Sequence, residues 1–199
     1  MTNPIYCAVD KTDLGEAAAL VRAVQGSVGG IKFGKEFFTA NGPQGVRGLA
    51  ANGLPLFLDL KFHDIPNTVA GAVRAACALN PAMINVYALG GTAIMRAAAA
   101  AAAEAGGADR PLVLGVTVLT SLGGVVCAPP EIAAPRRACG PDFALVVPGI
   151  RPAATDADDQ KRTMTPVEAR ALGANVLVIG RAITAAPEPA AVRALAAAA

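Results

Sequence analysis

Residues 57–68, FLDLKFHDIPNT, crowd two aspartates and a lysine against the end of a short apolar run. Leu56, Phe57, Leu58 and Leu60 have strand character, and Pro66 blocks the continuation of that strand. Side chains alternate along a strand, so Asp59 and Lys61 share one face and Leu60 takes the other. A buried charge is costly unless paired, and here two opposite charges are neighbours. A structural ion pair meets that condition. So does a lysine held ready to stabilise developing negative charge and to deliver a proton, with Asp64 as a further carboxylate nearby.

The rest of the chain helps to separate these readings. Apolar runs with strand character lie at 5–9, 29–34, 56–60, 82–87, 112–119, 124–128, 143–147 and 175–180. Most are continuous rather than alternating, as expected of parallel strands covered on both faces. Helical segments are expected at 13–24, 43–52, 67–79, 91–105, 129–138, 166–172 and 188–198. Asn67 and Thr92 are candidate helix caps, and Pro166 suits a first turn after Thr165. Eight strands with helices between them predict a single-domain (β/α)8 TIM barrel over 1–199. An open doubly wound sheet is the competing fold, weakened because no glycine-rich dinucleotide fingerprint follows strand one.

One connection departs from that plan. Strand 112–119 is followed by TSLG and at once by GVVCA. Parallel neighbours ordinarily need a crossover of about ten residues or more. The crossover after strand five is therefore missing, through a deletion or because residues are lost from the sequence, with a broken barrel as a third option. Lost residues would leave a Cα–Cα step far above ~3.8 Å near Leu122–Val125.

A parallel barrel places its active site at the C-terminal ends of its strands. Asp10 and Lys11 stand at the end of strand one, and Lys32 interrupts the apolar run of strand two. Strand four supplies Asn85, strand five Thr120 and Ser121, strand seven PGIRP (148–152) and then DQKR (159–162). Strand eight ends VIGRAIT (178–184). An ordinary ion pair does not predict charged groups at one end of five strands, so a catalytic mouth is favoured. Phosphate commonly binds after strands seven and eight. Gly180 permits close backbone approach, and Arg181 offers a forked donor. Alone, GR reads as a turn beside a surface arginine; beside Arg151 and Gln160 a phosphate grip is favoured, with 151–165 as a lid. His63 is expected to position its loop or a subunit contact.

Composition narrows the partners. The 199 residues carry a net charge of +2, which argues against an extended nucleic-acid surface. No uncharged apolar run is long enough to cross a bilayer, and MTNPIYCAVDK has no secretory pattern. Cys7, Cys77, Cys127 and Cys139 show no metal spacing and there is one histidine, so reduced cytoplasmic thiols and no metal are expected.

DLKFHDIPNT, with LGVTVLTS, PGIRP, DQKR and VIGRAIT in that order, resembles the bacterial-type orotidine 5′-phosphate decarboxylase family over nearly the whole chain. The resemblance implies a homodimeric barrel that converts orotidine 5′-phosphate to UMP and CO2 in de novo pyrimidine biosynthesis, without metal or organic cofactor. It implies Lys32, Asp59, Lys61 and Asp64 as the catalytic charges, Asp64 reaching the neighbouring subunit's site. Asp10, Lys32, Asp59, Thr68, Thr120, Arg151, Gln160, Gly180 and Arg181 are implied to bind substrate, Asp10 and Lys32 on the ribose side and Gln160, Gly180 and Arg181 nearest the phosphate. DxKxxD alone also occurs in magnesium-dependent sugar-phosphate lyases; the downstream motifs argue against that alternative. A catalytically silent phosphate-binding barrel is the alternative from another class. In the family a loop and helix follow strand five and border the pyrimidine, which is where this chain departs.

Overall fold

A computed structural model describes residues 3–116, 124–151 and 164–184, the last including Arg181 and Thr184 by their backbone alone. The strands are β1 (Ile5–Ala8), β2 (Gly30–Gly34), β3 (Leu56–Phe62), β4 (Met83–Tyr87), β5 (Leu112–Val116), β6 (Gly124–Val126), β7 (Ala144–Pro148) and β8 (Val176–Ile179). All pair in parallel and in order, and β1 pairs with β8, so the sheet closes into the expected barrel. The open-sheet and broken-barrel alternatives fall.

Alternation along each strand divides two apolar layers. Ile5, Cys7, Ile31, Phe33, Leu58 and Ile84 point outward under the helices, whereas Tyr6, Ala8, Phe57, Met83, Leu114 and Val178 fill the barrel. β2 presents Gly30, Lys32 and Gly34 to the interior. A Cβ on Gly30 would lie 2.3 Å from the Tyr6 ring, so glycine here lets that ring occupy the barrel's lower end.

The helices are α1 (Leu14–Val24), α2 (Lys35–Ala50), α3 (Pro66–Cys77), α4 (Gly91–Gly106), α5 (Ala133–Cys139), α6 (Pro166–Ala171) and α7 (Arg181–Thr184). Three sequence expectations change. α2 starts at Lys35 rather than 43, because it comprises two helical pieces kinked at Gly42, with Pro43 opening the second. Asn67 and Thr92 lie inside α3 and α4, whose first turns open at Pro66 and Gly91 without a side-chain cap. Thr165 does cap α6: its hydroxyl accepts the Glu168 N–H, and Glu168 accepts the Thr165 N–H at 3.0 Å. The helix expected at 188–198 lies outside the described residues.

The short connection after β5 has a geometric explanation. β5 is described as far as Val116 and β6 from Gly124, and the last three residues of the strand expected over 112–119 lie outside the described residues. Val116 is level with Val126, so the chain must descend only two strand residues to reach Gly124. That is about 7 Å down and about 5 Å sideways, well within the reach of residues 117–123. Among the described residues, β5 and β6 pair at Gly115 with Val125 and at Val116 with Val126. The Cα step expected to distinguish lost residues from a deletion falls mainly on residues outside those described.

Candidate active site

At the C-terminal end of the barrel, four charged side chains alternate in sign. Asp10 Oδ1 lies 3.5 Å from Lys32 Nζ, which lies 3.3 Å from Asp59 Oδ2. Asp59 Oδ1 receives Lys61 Nζ at 2.5 Å. Side-chain exposure is 10% for Lys32, 14% for Asp59, 29% for Lys61 and 49% for Asp10, so the centre of the array is shielded while both ends meet the mouth. Each cation rests against a carboxylate, which offsets the cost of holding these charges out of water.

The elements explain the placement. Lys32 points inward because its neighbours Ile31 and Phe33 both belong to the outer layer. Gly34, one inward position above it, leaves room: a Cβ there would stand 3.3 Å from Lys32 Nζ and 3.4 Å from Asp10 Oδ1. On β3, Leu60 and Phe62 pack outward, so Asp59 and Lys61 face inward as the alternation predicts. Lys61 nevertheless has φ of +53°, a conformation that costs a β-strand residue roughly 1–3 kcal/mol. The sequence carried no sign of that turn.

A cavity of about 260 Å³ opens above the array. Asp10, Lys32, Asp59 and Lys61 line one side, and Gly149, Arg151 and Gly180 line the other. The floor includes Ala8, Phe57, Val126 and Val178, apolar inward positions that carry no polar signal in the sequence but follow from strand alternation. One wall therefore carries charge, and the opposite wall offers glycine backbone and a guanidinium.

Two of the expected site residues lie outside this lining. Asp64 and Thr68 are exposed and outside the cavity lining; the Asp64 carboxylate accepts the Ile65 N–H at 2.7 Å. Arg181 begins α7 directly after Gly180. Thr120 and Gln160 lie outside the described residues, as does most of the expected lid. At the near and far ends of that segment, the Arg151 N–H donates to Met164 O at 3.0 Å. His63 is exposed and its ring lies 5.5 Å from that of Tyr87, away from the cavity lining. Burial, followed by the charge of Asp10, pushes the Cys7 thiol up to about 12, so it is no ready nucleophile despite its closeness to the array.

A parallel (β/α)8 barrel with an ionic array and a glycine-lined wall at its C-terminal mouth belongs to the class of barrel enzymes. The model of the Orotidine 5′-phosphate decarboxylase / HUMPS family matches residues 3–124 and 121–195, and the chain belongs to that family. Orotidine 5′-phosphate decarboxylase of Paramagnetospirillum magneticum is 48% identical over 223 residues, covering 96% of this chain and 95% of the relative. That of Moorella thermoacetica is 47% identical, covering 98% and 91%. The crystal structure of the Lactobacillus acidophilus decarboxylase superposes with a TM-score of 0.83 at 30% identity, over 97% of both chains. The two family-matched stretches meet at residues 121–124, and the 223-residue alignment is longer than this chain. The relatives thus carry residues this chain lacks, and the family match breaks at the short β5–β6 connection.

Proposed function

We propose that this chain decarboxylates orotidine 5′-phosphate to UMP and CO2 in pyrimidine biosynthesis, using electrostatics and a lysine general acid with no cofactor. The observation that carries the reading is the alternating Asp10–Lys32–Asp59–Lys61 array facing a glycine- and arginine-lined wall. The substrate's phosphate lies toward Gly180 and Arg181 with Gln160, its ribose toward Asp10 and Lys32, and its carboxylate toward Asp59. Arg151, Thr120 and Thr68 complete the binding set.

The bond from the pyrimidine ring to its carboxylate breaks, CO2 leaves, and the electron pair remains on the ring carbon. Lys61 stands beside that carbon as a cation, its attraction growing as negative charge develops, and its Nζ then gives the carbon a proton. Asp59 repels the substrate carboxylate; like charges ~4 Å apart at an effective dielectric of ~20 repel by about 4 kcal/mol, relieved as neutral CO2 departs. Phosphate binding, remote from the reacting bond, supplies energy for ordering the charges. The active unit in this reading is a homodimer, with Asp64 completing the neighbouring site.

The test is the ultraviolet absorbance of orotidine 5′-phosphate mixed with the purified chain, with and without EDTA. Rapid loss of substrate absorbance that EDTA leaves unchanged is the expected result. Folded protein that leaves the substrate intact would sink the proposal. Activity on a sugar phosphate that requires magnesium would move the chain to the other branch of its family.

A further inference from the structure

Among the described residues, Asn85 is the one buried polar side chain besides Lys32, with no exposed surface. It sits in the middle of β4, outside the cavity lining, and both ends of its amide serve β3. Its Nδ2 donates to Asp59 Oδ1 at 2.6 Å, and its Oδ1 accepts the Lys61 backbone N–H at 2.7 Å.

The strand register explains why an amide is needed. Leu58 pairs with Ile84 and Phe62 with Val86, so residues 59–61 of β3 stand opposite Asn85 alone. The excess of two residues preserves alternation, which keeps Asp59 and Lys61 inward, but it interrupts the ladder. Without the ladder the Lys61 N–H needs another acceptor, and the Asn85 side chain supplies it. The same amide holds the Asp59 oxygen that receives Lys61 Nζ. An amide donates at one end and accepts at the other, as this bridge requires; a carboxylate or an apolar side chain cannot do both.

We infer that Asn85 is a positioning residue for the reaction, holding Asp59 and the left-handed Lys61 backbone so that Lys61 Nζ meets the reacting carbon. The inference rests on the decarboxylase reading above, and part of its test does not. Asn85→Ala removes both hydrogen bonds. Asn85→Asp is nearly isosteric, keeps an acceptor for the Lys61 N–H, and loses the donor to Asp59; it carries the test if the alanine variant fails to fold.

The measurements are kcat for orotidine 5′-phosphate per folded site, the Kd of UMP, and the crystal structure of the unliganded variant. The expected result is a fall in kcat of about 100-fold or more, as for loss of preorganised electrostatics, while the UMP Kd changes by less than about threefold. In the alanine variant, Lys61 leaves positive φ or its Nζ leaves Asp59. Unchanged kcat, or an equal loss of kcat and UMP affinity, overturns the inference by showing an indifferent or merely structural side chain. If the parent chain itself does not turn over orotidine 5′-phosphate, the decarboxylase reading fails and the crystal structure decides alone. An alanine variant with Lys61 still at positive φ on Asp59 then overturns the positioning role.

Discussion

Lys61 combines two costs, a partly shielded charge and a left-handed backbone. Asp59 offsets the first at 2.5 Å, and the interrupted β3–β4 ladder accommodates the second. The two costs can be separated by substitution. Lys61→Ala and Lys61→Gly both remove the proposed acid, and both are expected to lose measurable turnover while still binding UMP. Only glycine also removes the strain at φ of +53°, so Lys61→Gly will be more stable than Lys61→Ala by about 1 kcal/mol. Denaturant titration of the two variants measures that difference, and equal midpoints would show that the turn is unstrained. Substantial residual turnover in either variant would remove Lys61 as the proton donor. The chemical types of Asp59 and Lys61 were legible in the sequence, and so was their shared face. The left-handed turn was not, because it arises from a mismatch with a strand more than twenty residues away.

At the scale of elements, the wall after the shortened crossover is tied together by one side chain. Arg136 on α5 donates to the carbonyls of Gly140, Phe143 and Gly173 at 2.5, 2.9 and 2.6 Å, and to Asn175 Oδ1 at 2.6 Å. Asn175 Oδ1 also accepts the Leu145 N–H at 2.8 Å. One guanidinium thus joins a helix to the entrances of β7 and β8. Arg136→Ala leaves several partly buried acceptors without a donor, and the expected loss is about 3 kcal/mol of stability. Arg136→Lys recovers only a minority of it, since one ammonium cannot span the fork's directions. Thermal unfolding of both variants checks this; an alanine variant within about 0.5 kcal/mol of the parent would show the network to be incidental. The strands themselves were legible because eight buried parallel runs stand out from polar connections. The early start of α2 was hidden by Gly42 and Pro43, which read as a break although helix lies on both sides. The connection after β5 read as too short for a crossover because the sequence does not reveal that Val116 and Val126 stand level in neighbouring strands.

The whole molecule raises the question of where Asp64 acts. Within one chain it is exposed and outside the cavity lining, although its motif partners Asp59 and Lys61 belong to that lining. The spacing placed all three in one array, but the direction taken after β3 depends on packing that spacing does not encode. Near Asp64 two apolar side chains meet solvent: Ile65 is 65% exposed and Leu89 is 77% exposed. The two loops adjoin, since a Cβ on Gly90 would lie 3.1 Å from the His63 ring. In the homodimer proposed above, a two-fold axis would bring each Asp64 toward the other's cavity. Subunit mixing tests this directly. Lys61→Ala chains lack the acid but carry Asp64, whereas Asp64→Asn chains keep Lys61. In a hybrid dimer with Asp64 acting across the interface, the site holding Lys61 receives an intact Asp64 and is whole. Random reassociation of equal amounts then restores about one quarter of the parent turnover, from half the dimers with one good site each. If Asp64 serves its own chain, every hybrid site is defective and mixing restores nothing.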